Sequence, residues 1–390
     1  MATSRENGGF HIDTVARIIR STLLNEWLAL PAAAVIAWLR KPSSIAYLRR
    51  ALWYAGRYDI RLAYLRLTWL ERASLYLGGA GLLLSANSLL NKWAANNWTA
   101  SRPGEWAHWE REVVVVTGGS GGLGAQIVRD LLARNPRTRI VVIDFAPLSW
   151  KPPAGALGRN LHYYRADLSK PDVIRAVCER VRAEVGHPTV LVNNAGLVRG
   201  FTVLEGSYAD VEITMKTNLT APFLLIKEFL PEMVKNNHGH IVNVCSTSAL
   251  MPSPDIVDYS ASKAGIQALH EGLANELRSR YNAPRVRLTN GVFNFIRTPL
   301  LSGNPSQPQF FAPMLHVETV SEAIVNALYS GYGSVIYLPG IMRYVAMLRA
   351  APEWFMHTVM ANHTAHLAVE FKGRQRIDET GGVQVVNRRR

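Results

Sequence analysis

Cysteine is scarce in this chain, since only Cys178 and Cys245 occur among its 390 residues. Two cysteines do not make the disulfide framework on which small secreted domains depend, and these two fall in a predicted helix and a predicted strand. We therefore expect buried thiols in a reducing compartment. Disorder is excluded as well, because 48% of the residues are hydrophobic and ten are tryptophan.

Acidic residues are also in the minority, with 29 against 43 basic residues and a formal net charge of +14. The excess is concentrated, because residues 40–72 hold eight basic and two acidic residues and the chain ends in three arginines. Basic residues interleaved with aromatic ones are typical of contact with nucleic acid or with an anionic membrane. The flanking apolar runs favour a membrane, and we expect no nucleic-acid partner.

Charge is absent from residues 73–90, and residues 22–39 are interrupted only by Glu26 and Pro31. Eighteen helical residues reach about 27 Å, close to the roughly 30 Å thickness of a bilayer core. One sector of a continuous helix between these runs would carry Arg50, Arg57, Arg61 and Arg72. The pattern favours membrane attachment, and the alternative is a soluble helical cap with arginines on its wet face.

The number of membrane spans stays open. The positive-inside rule puts the basic loop in the cytosol, whereas two full spans would then put the domain after residue 91 across the membrane. A re-entrant hairpin, or one span plus one interfacial helix, keeps that domain cytosolic and is what we expect. Residues 91–109 then form a polar, tryptophan-containing linker.

The stretch that organises the rest of the chain is residues 112–124, with the sequence E-V-V-V-V-T-G-G-S-G-G-L-G. Four consecutive valines predict a strand buried on both faces, and a helix with an apolar face follows the glycines. Glycines at a strand-to-helix junction expose backbone N–H groups to phosphate, although an ordinary turn fits the cluster too. The candidate pyrophosphate cradle consists of Thr117, Gly118, Ser120, Gly122, Leu123 and Gly124.

Asp144 ends the next predicted strand, twenty residues beyond Gly124. At this spacing a carboxylate accepts hydrogen bonds from the ribose hydroxyls of a dinucleotide and repels a 2′-phosphate. Because no basic residue stands among the glycines, NAD is favoured over NADP as the cofactor.

Tyr259 and Lys263 are four residues apart in a predicted helix and therefore share one face. We expect the ammonium of Lys263 to lower the pKa of the phenol, which suits Tyr259 as a general acid/base. Ser246 stands thirteen residues before Tyr259 and can hydrogen-bond a substrate oxygen on which charge develops. Oxidation of an alcohol needs a hydride acceptor, a base and a hydrogen-bond donor, and the NAD cleft, Tyr259 and Ser246 would supply these in turn.

In this order the motifs T-G-x-x-x-G-x-G, D-L, N-N-A-G, Ser and Y-x-x-x-K resemble the short-chain dehydrogenase/reductase family over about residues 112–339. The resemblance implies an α/β fold with a doubly wound parallel sheet of Rossmann type. It implies a catalytic tetrad of Asn218, Ser246, Tyr259 and Lys263, the last two also touching the cofactor. Further cofactor contacts are implied for Asp167, Leu168, Asn194, Ala195, Gly196, Ile296 and Thr298. No metal is implied.

The sequence departs from the family after the strand predicted near residues 286–288. Asn290-Gly291 stands where Pro-Gly is usual, and the segment looks longer. Residues 299–314, rich in Pro, Ser and Gln, predict a mobile substrate loop. Beyond residue 340 an apolar, aromatic stretch is either a packing helix or a lipid-facing lid over the substrate entrance, and residues 371–390 look like a solvated basic tail.

The apolar N-terminal runs, Asp144 and the Tyr337-Leu338-Pro339 ending resemble the retinol dehydrogenase and 17-beta-hydroxysteroid dehydrogenase branch. That branch implies hydride transfer between NAD and a lipophilic alcohol or ketone, such as a retinoid, steroid or long-chain lipid, at the endoplasmic reticulum or lipid droplets. It also implies a homodimer or homotetramer. The alternatives are an NADPH-dependent reductase of 3-ketoacyl or ketosphingoid lipids, and a non-catalytic membrane-surface scaffold.

Three regions follow from this interpretation. Residues 1–108 form an N-terminal helical membrane-associating region with its linker, residues 109–340 a catalytic Rossmann domain, and residues 341–390 an apolar extension with a basic tail.

Overall fold

The structure is a computed structural model that describes residues 11–39, 41, 60–298, 310–366, 374–377 and 383–386. Side chains are described in residues 11–39, 41, 68–298 and 310–361. The chain divides into two compact units, Phe10–Asn91 and the part from Lys92 onward. Most of the predicted arginine sector, with Arg50, Arg57 and the side chain of Arg61, lies outside the described residues.

The first unit contains three described helices, α1 (Ile12–Ser21), α2 (Glu26–Leu39) and α3 (Ile60–Ala95). Small residues let α3 approach the segment around α2 closely, because a Cβ on Gly81 would collide with the carbonyl oxygen of Leu24. The Ser85 hydroxyl donates to the Glu26 carboxylate over 2.8 Å, which gives the one charge in the apolar run of residues 22–39 a partner.

Apolar side chains cover the outside of these helices. Trp27 is 81% exposed, Leu83 is 74% exposed and Trp38 is 58% exposed. One described helical stretch, Thr68–Ala95, is long and apolar enough to cross a membrane, and α1 with α2, bent by 44°, is a second candidate if the two are taken together. Both of the predicted apolar runs therefore fall within helical regions.

The second unit is built on a sheet of seven described strands. In chain order they are β1 (Val113–Thr117), β2 (Arg139–Asp144), β3 (Leu161–Arg165), β4 (Val190–Asn193), β5 (Gly239–Ser246), β6 (Val286–Phe293) and β7 (Ser334–Leu338). The helices are α4 (Gly122–Arg134), α5 (Pro171–Glu184), α6 (Tyr208–Met215), α7 (Ala221–Asn236), α8 (Val257–Ser279), α9 (Val317–Ser330), α10 (Met342–Val345) and α11 (Glu353–His366).

All seven strands are parallel, in the spatial order β3-β2-β1-β4-β5-β6-β7. The order reverses between β1 and β4, and such a switch point leaves a crevice at the carboxyl ends of the strands. The predicted doubly wound α/β fold is confirmed.

Helices cover both faces of the sheet, and the four valines of β1 show why: their side chains alternate between the two faces, and both faces must be buried. Val113 and Val115 pack into a core shared with α5, α7 and α8, whereas Val114 and Val116 pack into a core shared with α4 and α9. All four valines are at most 2% exposed. A strand with two buried faces has no solvent side, which is why it shows no polar alternation.

β6 is longer than the strand predicted near residues 286–288. Asn290 and Gly291 lie inside the strand, which pairs with β5 without interruption from Val286 to Phe293. Glycine is needed there because a Cβ on Gly291 would collide with the ring of Phe293. The glycine therefore makes room for an aromatic side chain and does not mark the end of the strand.

The linker from Asn96 to Glu112 is docked on the catalytic unit, and we call these residues the linker latch. Asn96 exchanges two hydrogen bonds with the backbone of Gly333, over 3.0 and 2.7 Å. Arg287, only 1% exposed, donates to the carbonyl oxygens of Asn96 and Thr99 over 3.1 and 3.0 Å. Gly333 and Arg287 stand at the amino ends of β7 and β6, so the latch holds the amino edge of the sheet.

Aromatic and charged contacts complete the latch. The Trp106 ring lies 4.4 Å from the ring of His238, and Trp109 is 2% exposed. His238 lies between two carboxylates, with Nε2 3.1 Å from Glu112 and Nδ1 3.4 Å from Glu105. The linker predicted to be polar is thus partly a piece of the core.

The C-terminal tail also differs from expectation, because residues Arg374–Ile377 and Val383–Val386 pair as antiparallel strands β8 and β9. The prediction of a solvated tail misses this hairpin, whose short strands alternate only weakly between polar and apolar residues.

His238 makes the stability of the catalytic unit depend on pH. Burial alone lowers its pKa, but Glu112 and Glu105 outweigh burial and raise the pKa above its ordinary value. The charged contacts therefore stabilise the fold below the pKa of an unfolded histidine, about 6.5, and are lost as the pH rises through the folded value. We expect His238→Gln to lower the free energy of unfolding by roughly 1 to 2 kcal/mol at pH 6, and by less at pH 9.

Urea unfolding at the two pH values measures this difference. His108→Gln is the matched control, because the His108 side chain is 58% exposed beside Glu110, and we expect no loss from it at either pH. An equal loss at both pH values for His238→Gln would contradict a charged pairing.

Candidate functional site

The glycine turn after β1 has the backbone that a bound pyrophosphate requires. Gly118 and Gly122 have φ angles of +66° and +51°, which residues with a side chain rarely adopt. A Cβ on Gly124 would collide with the carbonyl oxygen of Gly118. Helix α4 begins at Gly122 without a side-chain cap, so the N–H groups of its first turn remain available to an anion. The turn fits the diphosphate of a dinucleotide.

A clasp of five hydrogen bonds joins the end of β1 to the loop after β4. The Thr117 hydroxyl accepts from the backbone N–H groups of Asn194 and Ala195 over 3.0 Å and donates to the Val192 carbonyl over 3.2 Å. The Asn194 side-chain amide donates to the carbonyl oxygens of Thr117 and Gly118, over 2.9 and 3.2 Å. The glycine turn and the N-N-A-G loop therefore hold one another in place.

Asp144 stands at the end of β2, beside the glycine turn. Its carboxylate accepts the N–H of Ser120 over 2.8 Å and that of Ala146 over 3.0 Å. Burial raises the pKa of Asp144, while these two N–H groups pull in the opposite direction. The carboxylate keeps acceptor sites on both oxygens, as contact with a ribose would require.

A short segment after β2 closes over the glycine turn, and the sequence gives no sign of it. The Trp150 indole donates to the Gly119 carbonyl over 3.1 Å, and the Ser149 hydroxyl donates to the Ser120 carbonyl over 2.6 Å. The Ser120 hydroxyl in turn donates to the Ala146 carbonyl over 2.7 Å. These contacts fix the conformation of the turn from outside.

Asp167 and Leu168, the predicted adenine contacts, lie just after β3. Asp167 accepts from the backbone N–H and hydroxyl of Ser169, over 3.0 and 2.7 Å, and so shapes the turn into α5. Leu168 is 6% exposed and belongs to the core shared with α5. Both residues have structural contacts, and their part in cofactor binding stays a prediction.

Ser246, Tyr259 and Lys263 meet at the carboxyl edge of the sheet. Ser246 ends β5, and its hydroxyl acts on the phenol of Tyr259 on α8, whose pKa it lowers. The Lys263 ammonium lies 5.5 Å from the centre of the Tyr259 ring and donates to the Val244 carbonyl over 2.8 Å. The predicted proximity of the two helical residues is therefore present.

The pKa of Tyr259 is not what the sequence predicts. Burial raises its pKa to about 12, and the nearby Ser246 hydroxyl lowers it only in part. Burial also lowers the pKa of Lys263. The ligand-free site thus disfavours charge on both groups, and the expected lowering by the ammonium is wrong for this state because desolvation dominates.

Asn218 lies in a π-helical turn, Lys216–Thr220, which separates α6 from α7. Its side chain accepts from the Leu197 N–H over 2.8 Å and donates to the Leu197 carbonyl over 2.9 Å. A Cβ on Gly196 would lie 3.3 Å from the Asn218 oxygen and 3.7 Å from the Lys263 nitrogen. The N-N-A-G loop, the helical asparagine and the lysine therefore surround one small space.

Ile296 and Thr298 follow β6. Ile296 pairs with Leu315 through a single bridge and packs against the core shared with α4 and α9. Thr298 is the last described residue before residues 299–309, so most of the predicted substrate loop lies outside the described part of the chain.

Ser248 is a site residue that sequence reasoning missed. Its backbone N–H and its hydroxyl lie 3.1 and 3.0 Å from the Ser246 hydroxyl oxygen. Two groups of this one neighbour therefore hold that oxygen, which leaves its own hydrogen for Tyr259 or a ligand. The S-x-S spacing after a strand, typical of a serine turn, was the available signal.

With the site in view, comparison with known proteins gives a family. The family model described as short chain dehydrogenase matches residues 112–307. The chain belongs to this family. It is 39% identical over 209 residues to Dehydrogenase RED2 of Cochliobolus heterostrophus, covering 53% of this chain and 75% of that one.

Two further relatives of this dehydrogenase carry substrate names. Estradiol 17-beta-dehydrogenase 11 of Rattus norvegicus is 31% identical over 249 residues, covering 63% of this chain and 81% of that one. Retinol dehydrogenase 10 of Rattus norvegicus is 45% identical over 116 residues, covering 30% of this chain and 34% of that one. The resemblance to the branch of these two enzymes is confirmed, and the protein is an oxidoreductase by family.

The close approach at Gly124 predicts a large effect from one methyl group. We expect Gly124→Ala to lower the free energy of unfolding of this dehydrogenase by about 1 to 3 kcal/mol and to weaken NADH binding, because the turn must move. Gly272→Ala, at an exposed position of helix α8, is the control, since nothing lies within 4 Å of its Cβ position. Urea unfolding and NADH fluorescence titration measure both variants, and equal behaviour of the two would contradict the packing.

Proposed function

We propose that this dehydrogenase transfers a hydride between NAD(H) and a lipophilic alcohol or ketone, with Tyr259 as general acid/base. The observation that carries the proposal is the meeting of Ser246, Tyr259 and Lys263 at the same sheet edge as the glycine turn and Asp144. Hydride transfer needs the cofactor and a proton-transfer group side by side. A family resemblance alone does not supply that geometry.

In the oxidation direction, the phenolate of Tyr259 takes the hydroxyl proton of the alcohol, while the carbinol hydrogen leaves as hydride. Ser246 donates a hydrogen bond to the substrate oxygen, oriented by its contacts with Ser248. When bound, NAD supplies the hydride acceptor and the positive charge of its nicotinamide ring. The products are a carbonyl compound, NADH and one proton, which Tyr259 passes on.

Ionisation of Tyr259 is the demanding part, because its pKa is about 12 in the ligand-free protein. Lys263 is only 5% exposed, so its charge acts on the phenol with little solvent screening once a ligand fills the site. The space bounded by Gly196, Asn218 and Lys263 offers a route by which the proton leaves. We assign Asn218 to that route through its position in the π-helical turn.

Asp144 supports NAD over NADP, because its carboxylate repels a 2′-phosphate. One observation favours the runner-up, an NADPH-dependent ketolipid reductase. Arg165 is in register with Asp144 on the neighbouring strand, and its Nε donates to the Phe145 carbonyl over 3.2 Å. A guanidinium at that place has the chemistry that a 2′-phosphate needs.

Titration with NADH and with NADPH distinguishes the NAD-dependent dehydrogenase from the NADPH-dependent reductase. We expect NADH to bind at least about tenfold more tightly than NADPH. Asp144→Ser should reduce this ratio of affinities, because it removes the repulsion between the carboxylate and the 2′-phosphate of NADPH. Arg165→Ala is the companion variant and should leave the NADH preference intact. Preference for NADPH in the wild type, lost in Arg165→Ala, would contradict the NAD assignment and favour the reductase instead.

The lipophilic substrate class is supported by the names of the two relatives and by the apolar helices α2 and α3. We infer attachment to the endoplasmic reticulum or to lipid droplets, with the catalytic domain in the cytosol. We keep residues 1–108, 109–340 and 341–390 as membrane-associating, catalytic and C-terminal regions. A homodimer or homotetramer would use the helices around Asn218 and Tyr259, where Phe223 is 48% exposed.

Turnover of a lipid panel tests the reaction. The full chain in detergent with NAD should oxidise at least one of retinol, estradiol and a long-chain fatty alcohol, faster toward alkaline pH as Tyr259 ionises. Tyr259→Phe should lower kcat by about 100- to 10,000-fold with NADH binding kept, and Tyr281→Phe, beyond the end of α8, should change nothing.

Two outcomes contradict parts of the proposal. An inert panel with intact NADH binding would reject the substrate class. Unchanged activity in Tyr259→Phe would reject the proton-transfer role, and an unchanged cellular effect of the same variant would favour a non-catalytic scaffold.

A further inference from the structure

The chain after β7 is held beside Ser246. Val345 and Ala346 pack into the core together with Tyr337 of β7. The Arg349 guanidinium donates to the carbonyl oxygens of Leu250 and Ala249, each over 3.2 Å. These carbonyls belong to the short turn that follows Ser246 directly. The segment is thus fixed next to the serine at the carboxyl edge of the sheet.

Four large apolar or aromatic side chains of this segment and of the helix that follows it remain exposed. We call these side chains, of Tyr344, Met347, Trp354 and Phe355, the C-terminal surface. Their exposed fractions are 59%, 68%, 71% and 41%, respectively. Tyr344 and Met347 are three residues apart in a helical run, and the rings of Trp354 and Phe355 lie 5.7 Å apart edge to face.

The composition around this surface matches an anionic lipid bilayer. Tryptophan and tyrosine prefer the level of the lipid headgroups, where one end of the side chain is apolar and the other is wet. Arg343 stands exposed beside Tyr344, and residues 341–390 hold eight basic and four acidic residues. Basic charge next to exposed aromatic side chains is attracted to anionic lipids, whereas a second protein surface has no need of the excess.

The site lies at the opposite edge of the sheet from the linker latch. Asn96 of the latch binds Gly333 at the amino edge of the sheet. Ser246 lies at the other end of β5, whose eight residues span about 26 Å. Within the catalytic unit, the segment after β7 and not the latch is therefore the part that adjoins Ser246.

We propose that the C-terminal surface lies on the lipid bilayer beside Ser246, so that substrates enter the site from the bilayer. This inference rests on the lipophilic substrate class proposed above. It resolves the choice between a packing helix and a lipid-facing lid, because the inner face packs on the core and the outer face contacts lipid.

Fluorescence quenching in membranes tests the surface directly. The full chain is reconstituted into vesicles of phosphatidylcholine and phosphatidylserine, with a single thiol-reactive fluorophore on Trp354→Cys and nitroxide-labelled lipid as quencher. Cys178 and Cys245 are buried, so the label stays on the introduced cysteine. Leu157→Cys is the control, because Leu157 is 57% exposed near β3, at the edge of the sheet opposite β7.

The nitroxide lipid should quench the Trp354→Cys label at least about twofold and leave the Leu157→Cys label unchanged. Equal quenching at both positions, or none at position 354, would overturn the proposal, including the case in which a second copy of the chain covers the surface. Met347→Cys serves as a second position, and NADH binding verifies the fold of each variant. Because quenching needs no turnover, its failure and the failure of the proposed reaction are distinguishable.

Discussion

The contact on which the rest of the site depends is the clasp between β1 and β4. Thr117 and Asn194 tie the glycine turn to the N-N-A-G loop, and the missing side chain of Gly124 lets helix α4 start against the Gly118 carbonyl. From that loop, Gly196 and Leu197 reach Asn218 and so the helix that follows. The glycine turn and the proposed proton-transfer groups are therefore parts of one connected network.

Desolvation governs the electrostatics of this network. The phenol of Tyr259 is pushed to a pKa of about 12, and the pKa of Lys263 is lowered, so neither group favours its charged form in the ligand-free protein. Exclusion of water from the site also strengthens electrostatic interactions, because a low dielectric screens charges less. A hydrogen bond from Ser246 to a developing charge is therefore stronger there than in water. A site of this kind is poor at ionising by itself and effective once a complementary charge enters.

Much of the fold was predictable because its signals are local. The valine run, the glycine spacing and the position of Asp144 each depend on one strand or one turn, and the structure places them as expected. Other contacts depend on residues that are distant in sequence, and the composition does not indicate them. They are the contacts of Ser149 and Trp150 with the glycine turn, the docking of Trp106 on His238 and the contact of Arg349 with the turn after Ser246. The full length of β6 was missed for a related reason, since the Phe293 ring that requires Gly291 inside the strand is seen only in three dimensions.

The two edges of the sheet have separate tasks in this account: the amino edge holds the chain arriving from the apolar helices, and the carboxyl edge holds the reactive groups. Transfer of hydrogen between carbon atoms is the central claim. Estradiol and retinol deuterated at the carbinol carbon, incubated with the full chain and NAD, test it by mass spectrometry of the nucleotide. The account predicts that deuterium from at least one of them appears on the nicotinamide ring of the NADH formed. NADH formed without deuterium, or a carbonyl product formed without NADH, would contradict it.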